Sequence, residues 1–222
     1  MRIFLFDIDG TLVDSAAAVE RAWRQVAAEF GADGDAIVAG CHGRRSIDTI
    51  GEFFPPRAHA AVQERINALE LAARNVTACR GAADLLAGLN GQPWAAVTSG
   101  PRRLMTARLS LAGLPVPAVL VTAENVEQGK PAPDGYLLAA RALGVAAADC
   151  VVVEDSPAGV GAGKAAGALV AAVTTTHPAD ALGAADLVVA GLPEVAQALG
   201  QGAPSLQCPR RRLTREACDG GT

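Results

Sequence analysis

The segment IFLFDIDGTLVDS, residues 3–15, joins an apolar run to three aspartates. The run covers residues 3–6, and a continuous apolar stretch of this kind is typical of a strand buried on both faces of a parallel sheet. Asp7 and Asp9 follow it directly, and Asp14 lies a few residues further on. At an intermediate effective dielectric, two like charges this close repel by roughly a few kcal/mol. A bound cation would offset this repulsion, so the end of this strand is our first candidate for a functional site.

The rest of the chain alternates apolar runs with helical patterns. Further segments have the continuous apolar character of parallel strands: 94–97, 118–121, 150–153, 168–173 and, more weakly, 186–189. Between them, apolar residues recur at helical spacing in 81–90, 101–112, 133–144 and 157–167. Strands and helices in alternation predict an α/β fold with a doubly wound parallel sheet.

The region between residues 15 and 80 breaks this alternation, because it contains helical patterns without a strand-like run between them. The segment AAAVERAWRQVAAEF (16–30) is amphipathic and is followed by Gly31, a common helix terminator. Residues 45–54 and 58–75 also have helical spacing. The simplest account is a helical insertion after the first strand.

These patterns predict a division of the chain into domains. We expect a core domain made of residues 1–14 and 81–202, interrupted by an α-helical domain of residues 15–80. Residues 203–222 lack apolar periodicity, which predicts a disordered tail.

Composition argues against several classes of function. The formal net charge of −4 provides no basic footprint for nucleic acid. The five cysteines are scattered and odd in number, which disfavours a disulfide framework or a zinc site and fits a reducing compartment. No apolar run approaches the ~20 residues needed to span a bilayer. We expect a cytoplasmic protein that binds neither nucleic acid nor a membrane.

Polar side chains follow the predicted strands at the points where the strands end. Those with catalytic or metal-binding chemistry are Asp7, Asp9, Thr98, Ser99, Glu154 and Asp155, together with Lys130 in a Gly/Pro-rich loop just before a helix. In open parallel sheets, ligands bind beyond the carboxyl ends of the strands. We therefore expect all of these side chains to meet at one edge of the sheet.

This set of side chains fits phosphoryl transfer assisted by Mg²⁺. Asp7 and Asp155, with a main-chain oxygen nearby, supply the hard oxygen ligands that Mg²⁺ prefers. Asp7 can attack phosphorus to give an aspartyl-phosphate, while Asp9 can protonate the leaving alcohol and later deprotonate water. Thr98 and Lys130 can hold the phosphoryl oxygens and offset their negative charge.

Four segments resemble the four motifs of the haloacid dehalogenase superfamily of phosphohydrolases, in the family's order. They are DIDGTLVDS (7–15), VTSG (97–100), GKPAPDGY (129–136) and VVVEDSPAG (151–159). The resemblance covers most of residues 1–160. It implies a Rossmann-like core with an inserted helical cap domain, a Mg²⁺ cofactor and an aspartyl-phosphate intermediate.

The resemblance also implies a role for each matching residue. Asp7 corresponds to the nucleophile and Asp9 to the general acid/base. Thr98 corresponds to the hydroxyl that binds phosphate, and Lys130 to the lysine that steadies both nucleophile and phosphate. The implied metal site comprises Asp7, Asp9 through its backbone carbonyl, Asp155, and Glu154 either as a ligand or just behind the ligands.

Other segments resemble the sugar- and polyol-phosphate phosphatase branch, which includes hexitol-phosphate, 2-deoxyglucose-6-phosphate and glycerol-phosphate phosphatases. They are AAAVERAW (16–23), CHGRRSIDTI (41–50), QPWAAVTSG (92–100) and VTAENVEQGKPAPDGYLL (121–138). The implied partner is a small phosphate ester, and a cap that opens and closes over it predicts a monomer. Because the family's cap loop supplies specificity contacts, we expect His42 and Arg45 to bind substrate, alongside Ser99 of the core.

Two other activities share part of this pattern of residues. β-Phosphoglucomutases share this core and much of the cap, but they carry a histidine where this chain has Val19. Its absence favours hydrolysis over a hexose phosphomutase. A phosphoacceptor receiver domain also brings Asp, Thr and Lys to one sheet edge, but it is much shorter and lacks a helical insertion.

Overall fold

A six-stranded parallel sheet forms the centre of the protein. The computed structural model describes residues 2–200, with side chains through residue 198, so the tail predicted for 203–222 lies outside it. The sheet strands, in spatial order, are β5 (Val119–Val121), β4 (Trp94–Val97), β1 (Ile3–Phe6), β6 (Cys150–Glu154), β7 (Leu169–Val173) and β8 (Leu187–Val189). All six agree with the apolar runs in the sequence to within one residue.

Helices cover both faces of this sheet. One face packs against α5 (Ala82–Gly88), α6 (Arg102–Leu111) and α9 (Leu192–Gly200), and the other against α7 (Asp134–Ala142) and α8 (Pro157–Ala165). Along β1, Phe4 and Phe6 enter the first core and Leu5 the second, all at most 8% exposed. Since both faces are covered, every strand residue can be apolar, which explains the continuous runs. The predicted doubly wound α/β fold is confirmed.

The order of the strands determines where the polar side chains meet. β1 lies between β4 and β6 and is parallel to both, with Phe6 opposite Ala96 on one side and Val153 on the other. Residues just after these three strands therefore lie side by side at one edge of the sheet. This is the arrangement expected from the topology of open parallel sheets.

The insertion forms four helices with an apolar core of their own. They are α1 (Ala16–Phe30), α2 (Gly34–Cys41), α3 (Ser46–Phe53) and α4 (His59–Ala72), and we call them the cap helices. Trp23, Val26, Ile37 and Ile66 are buried among them. α1 ends as expected at Gly31, whose left-handed conformation (φ 72°) lets the chain reverse.

Three short elements in and beside the insertion were missed by the sequence analysis. The helix α2 was not predicted, and the chain enters and leaves the insertion through a short antiparallel pair, β2 (Val13–Asp14) and β3 (Thr77–Ala78). Exposed Asp14 therefore lies in the connection to the cap helices rather than beside Asp7. The exact domain boundaries stay a prediction.

Among the residues that the structure describes, none of the helices combines the length and apolar character required to cross a membrane.

Candidate active site

Three buried carboxylates and one ammonium group form the centre of the site. Asp7 follows β1, Glu154 ends β6, Asp155 follows it, and Lys130 comes from the loop before α7. One oxygen from each of the three carboxylates lies within 4.8 Å of the others. The Lys130 ammonium is hydrogen-bonded to Asp7 and lies 2.6 Å from Glu154 Oε1. The structure thus brings together these four residues, as predicted.

The electrostatics of this cluster favour a cation. Three carboxylates face one ammonium group, which leaves an excess of negative charge in a buried site. Burial raises the pKa of Asp7 well above its usual range despite the opposing effect of Lys130, with Glu154 and Asp155 adding to the rise. Burial and the charge of Glu154 raise the pKa of Asp155 to about 7. A divalent cation would remove this excess charge.

The donor set of the cluster fits Mg²⁺. The groups are hard carboxylate oxygens, the ligands that Mg²⁺ takes in proteins. Burial acts to raise the pKa of Glu154, but the charge and hydrogen bond of Lys130 outweigh it and lower that pKa. Glu154 also accepts hydrogen bonds from the Tyr136 hydroxyl at 2.7 Å and from the Asp155 amide at 3.0 Å. With Glu154 engaged in this way, Asp7 and Asp155 are the better candidates for direct ligands.

The turn after β1 approaches this cluster very closely at Gly10. Gly10 has a φ of 85°, and a Cβ built there would lie 2.1 Å from Asp155 Oδ2. Only glycine combines that conformation with so short an approach. The main chain of the DIDGT turn is thereby held against the carboxylate cluster, where its polar groups can take part in binding.

These properties predict Mg²⁺-dependent stability that varies with pH. The pKa of the Asp155 carboxyl is about 7 in the folded protein and 3.8 in the reference state, so the folded protein holds this proton more tightly than the unfolded chain does. The stability that the bound proton provides is therefore lost as the pH rises from 3.8 through about 7. Mg²⁺ would offset that loss. We expect MgCl₂ to raise the melting temperature by several degrees at about pH 8 and by clearly less at about pH 6. Differential scanning fluorimetry against EDTA measures both shifts.

The Asp155→Asn variant is the control for this prediction. It should lose most of the Mg²⁺-induced shift and its dependence on pH. If Mg²⁺ raised the melting temperature equally at both pH values, or raised it in the variant as much as in the wild type, Asp155 would not be a residue that holds Mg²⁺.

Asp9 lies beside this cluster, where it is held by two donors. The Ser15 hydroxyl donates to Asp9 Oδ1 at 2.7 Å, and Arg108 Nη1 donates to Asp9 Oδ2 at 2.6 Å. Arg108 Nη2 also contacts Glu70 Oε1 of α4 at 3.2 Å. Burial would lower the pKa of Arg108, but Asp9 and Glu70 outweigh it and raise that pKa. Arg108 therefore joins the sheet edge to the cap helices as a fixed charge.

A cleft between the sheet edge and the cap helices contains most of the predicted binding residues. Asp7, Asp9, Thr98, Ser99 and His42 line it, together with Val19, Trp23, Arg44, Glu70 and Arg108. Thr98 is buried, and its Oγ accepts a hydrogen bond from the Gly100 amide at 3.1 Å. The Ser99 hydroxyl donates to the Gly43 carbonyl at 2.8 Å, so it also links core to cap.

His42 and Arg45 are placed differently by the structure. His42 lines the cleft, with Nε2 3.6 Å from Glu20 Oε1, and burial lowers its pKa despite the charge of Glu20. Arg45 does not line this cleft: its guanidinium is paired with Asp48 at 2.8 Å and donates to the Glu127 carbonyl at 2.9 Å. A substrate-binding role for Arg45 thus stays a prediction without a contact to support it. The neighbouring arginine, Arg44, lines the cleft instead.

Several polar residues of the site were missed by the sequence analysis. The Thr176 hydroxyl donates to the Asp155 carboxylate, and a ring nitrogen of His177 lies 3.1 Å from the Asp155 carbonyl oxygen. Both follow β7, so the rule that ligands bind beyond strand ends would have found them. Arg108 and Glu70 carry a different signal, because each is a charged residue on the apolar face of a helix.

Comparison with known proteins gives consistent matches. A family model described as haloacid dehalogenase-like hydrolase matches residues 1–167. The chain is 46% identical to hexitol phosphatase A of Escherichia coli over 86% of this chain and 92% of that protein. It is 34% identical to glycerol-1-phosphate phosphohydrolase 2 of Saccharomyces cerevisiae, over 80% of this chain and 76% of that protein.

A solved structure with a similar fold is the β-phosphoglucomutase of Clostridium difficile. It has a TM-score of 0.80 and 21% identity, and the match covers 91% of this chain and 96% of that one. At this identity the likeness concerns the fold alone. It supports the predicted fold class, while the family model and the sequence relatives confirm the family and the phosphoric monoester hydrolase class expected from the four motifs. The chain therefore belongs to the haloacid dehalogenase-like hydrolase family.

Proposed function

We propose that this protein is a Mg²⁺-dependent phosphomonoesterase that hydrolyses a small sugar or polyol phosphate through an aspartyl-phosphate intermediate. The observation that carries the proposal is the buried cluster of Asp7, Lys130, Glu154 and Asp155, of which Asp7 lines the cleft beside the cap helices. The named relatives support the substrate class, since one is a hexitol phosphatase and another a glycerol-1-phosphate phosphohydrolase.

The proposed reaction has two half-reactions. In the first, an Asp7 carboxylate oxygen bonds to phosphorus as the bond from phosphorus to the ester oxygen breaks, and Asp9 gives its proton to that leaving oxygen. In the second, a water oxygen attacks phosphorus, Asp9 takes the water's proton, and Asp7 leaves as a free carboxylate. Inorganic phosphate and an alcohol are the products.

The surrounding residues hold the groups that react. Lys130 keeps the Asp7 carboxylate in place and adds positive charge beside the transferring phosphoryl group. Thr98, buried at the end of β4, offers a hydroxyl to a phosphoryl oxygen. Asp7 and Asp155, with the Asp9 carbonyl, are the residues that would hold Mg²⁺, which neutralises charge on phosphoryl oxygens when bound.

The charges of the cleft favour a substrate whose remainder is neutral. Among the residues that the structure describes, both arginines that line the cleft are paired: Arg44 with Glu52 at 2.8 Å, and Arg108 with Asp9 and Glu70. His42, with its lowered pKa, can bind hydroxyl groups as a neutral imidazole. Hydroxyl-rich monophosphates therefore fit the cleft better than esters that carry a second anionic group.

A panel of phosphate esters tests this proposal. We expect kcat/KM for hexitol, hexose and glycerol monophosphates to exceed that for matched sugar bisphosphates by at least about tenfold, equivalent to about 1.4 kcal/mol. The expected difference arises because, among the described residues that line the cleft, neither arginine is free to bind a second phosphate. A preference for bisphosphates, or the absence of phosphate release from every ester, would contradict the proposal.

A hexose phosphomutase on the same scaffold is the alternative, supported by the likeness in fold to β-phosphoglucomutase. Transfer between two hydroxyls of one hexose produces a bisphosphate at some stage, which the paired arginines disfavour. Incubation with a hexose 1-phosphate, followed by ³¹P NMR, separates the two reactions. Free phosphate is expected, whereas accumulation of a 6-phosphate would favour the mutase.

A further inference from the structure

Arg108 is an unusual residue for the face of α6 on which it lies. That face also carries Leu104, Met105 and Leu109, all buried. The Arg108 side chain is only 3% exposed, and within the described residues its Nε–H is the one buried side-chain polar atom without a hydrogen-bond partner. Such a position would normally hold an apolar residue, since burying a charge without full pairing is costly.

The partners of Arg108 come from two parts of the fold. Asp9 follows β1 of the core, and Glu70, whose side chain is 11% exposed, belongs to α4 of the cap helices. Glu70 also lies on an apolar face, four residues after buried Ile66. One guanidinium thus contacts both the proposed acid/base and a cap helix. Replacing such a buried ion pair by apolar residues is often neutral or stabilising, so stability alone gives a weak reason for it.

Both oxygens of the Asp9 carboxylate have a donor. Ser15 Oγ lies 2.7 Å from Oδ1, and Arg108 Nη1 lies 2.6 Å from Oδ2. Two contacts at the two oxygens fix the plane of the carboxyl group as well as its position. The contact between Arg108 and Glu70 in turn fixes the guanidinium.

We propose that Arg108 is the positioning residue of Asp9, and that its contact with Glu70 makes the placement of the acid/base depend on the cap helices being seated. Arg108 acts through Asp9 and does not itself contact the reacting atoms. The inference rests on the proposed function, since it assumes that Asp9 transfers the proton to the leaving group.

The dependence of rate on the leaving group distinguishes positioning from a general structural role. An alkyl phosphate releases a strongly basic alkoxide unless it is protonated, whereas 4-nitrophenyl phosphate releases a weakly basic phenolate that needs little help. The ratio kcat/KM reports the steps up to formation of the phosphoenzyme, so it isolates this protonation. A loss of correctly folded protein would lower kcat/KM for both esters by the same factor.

The experiment compares glycerol 1-phosphate and 4-nitrophenyl phosphate in five proteins: wild type, Asp9→Asn, Arg108→Met, Glu70→Gln and Arg103→Met. Arg103→Met is the matched control, because Arg103 is an exposed arginine on the same helix. For Arg108→Met we expect kcat/KM to fall by about 10²-fold for the alkyl ester and by less than about tenfold for the aryl ester. Asp9→Asn should show the same selectivity more strongly, and Glu70→Gln more weakly.

The outcomes separate this inference from the proposed function. If Asp9→Asn lowers kcat/KM for both esters equally, Asp9 is not the general acid. The inference is then overturned together with that part of the proposed function. If Asp9→Asn lowers kcat/KM mainly for the alkyl ester, but Arg108→Met lowers kcat/KM equally for both esters or for neither, the inference alone is overturned. If Glu70→Gln behaves like Arg103→Met, the dependence on the cap helices is wrong. Should Arg108→Met fail to fold, Arg108→Lys provides the same comparison.

Discussion

Replacing Asp7 by asparagine is expected to reduce turnover by at least about 10⁴-fold, the scale of effect seen when a catalytic nucleophile is removed. An asparagine amide has nearly the same shape as the carboxylate but cannot form the covalent bond to phosphorus. The variant should also yield no phosphoenzyme. The measurements are phosphate release in steady state and the intact mass of the protein after rapid acid quench, where the wild type should show the added phosphoryl group.

The Asp7→Asn variant should fold normally, which makes its loss of activity informative. Burial raises the pKa of Asp7, so ionising this side chain opposes folding, and a neutral amide removes that cost. Lys130 keeps an ion pair with Glu154 at 2.6 Å. We therefore expect a melting temperature in EDTA at least equal to that of the wild type.

Asp14→Asn is the matched control for this prediction. Asp14 lies in the same segment of sequence but is exposed in β2, so its replacement should leave both the rate and the phosphoenzyme unchanged. Residual turnover near the wild-type value in Asp7→Asn would exclude this aspartate as nucleophile. A phosphoenzyme in Asp7→Asn of the same amount as in the wild type would place the covalent step on another residue.

The parallel sheet could be predicted from the sequence because both of its faces are covered. Runs such as IFLF and CVVV contain no polar residue, and that pattern is typical of strands buried on both faces. The same sheet topology explains why the meeting of Asp7, Thr98 and Asp155 could be predicted. Residues far apart in sequence become neighbours by the rule for the carboxyl ends of parallel strands.

Helix α2 could not be predicted in the same way. Its sequence, GDAIVAGC, contains two glycines and too few residues to show a clear helical period. Its start depends on Asp33, whose carboxylate accepts hydrogen bonds from the amides of Asp35 and Ala36. Burial of Ile37 and Cys41 against the other cap helices completes it. Such tertiary contacts outweigh local propensity and leave no periodic signal in so short a segment.

The pair of Arg108 and Glu70 carries a signal in the sequence, although their pairing does not. Each is a charged residue in an apolar helical face, and each is therefore expected to be buried against an opposite charge. The sequence shows that such a partner is required but does not identify it. The two residues are 38 positions apart, and only the packing of α4 against α6 brings them together.

Replacing Lys130 by methionine is expected to lower both stability and activity. Its side chain is 5% exposed and pairs with Asp7 and Glu154, which are 6% and 0% exposed. Removing one partner of a buried pair leaves uncompensated charge and costs about 3–5 kcal/mol. For a protein of this size that corresponds to a fall in melting temperature of roughly 10 °C in EDTA. Thermal unfolding with and without Mg²⁺ measures the effect.

The loss of stability in Lys130→Met should depend on the solution conditions. Lys130 offsets the charge of the same carboxylates that would hold Mg²⁺. Saturating Mg²⁺ should therefore restore part of the lost stability, and so should lowering the pH, because the carboxylates of Asp7 and Asp155 then become protonated. A deficit in melting temperature that is independent of both would show that Lys130 acts through packing rather than through its charge.

Activity should fall in Lys130→Met even when Mg²⁺ has restored the fold. Burial raises the pKa of Asp7 and Lys130 opposes that rise, so without the ammonium group a larger fraction of Asp7 is protonated and unable to attack phosphorus. The transferring phosphoryl group also loses a positive neighbour, so a decrease in kcat of about 10²–10³-fold is expected.

The chain's other lysine provides the control: Lys164 forms a partly exposed pair with Asp186, and Lys164→Met should change stability by less than about 1 kcal/mol. Similar effects of the two substitutions would contradict the central role assigned to Lys130.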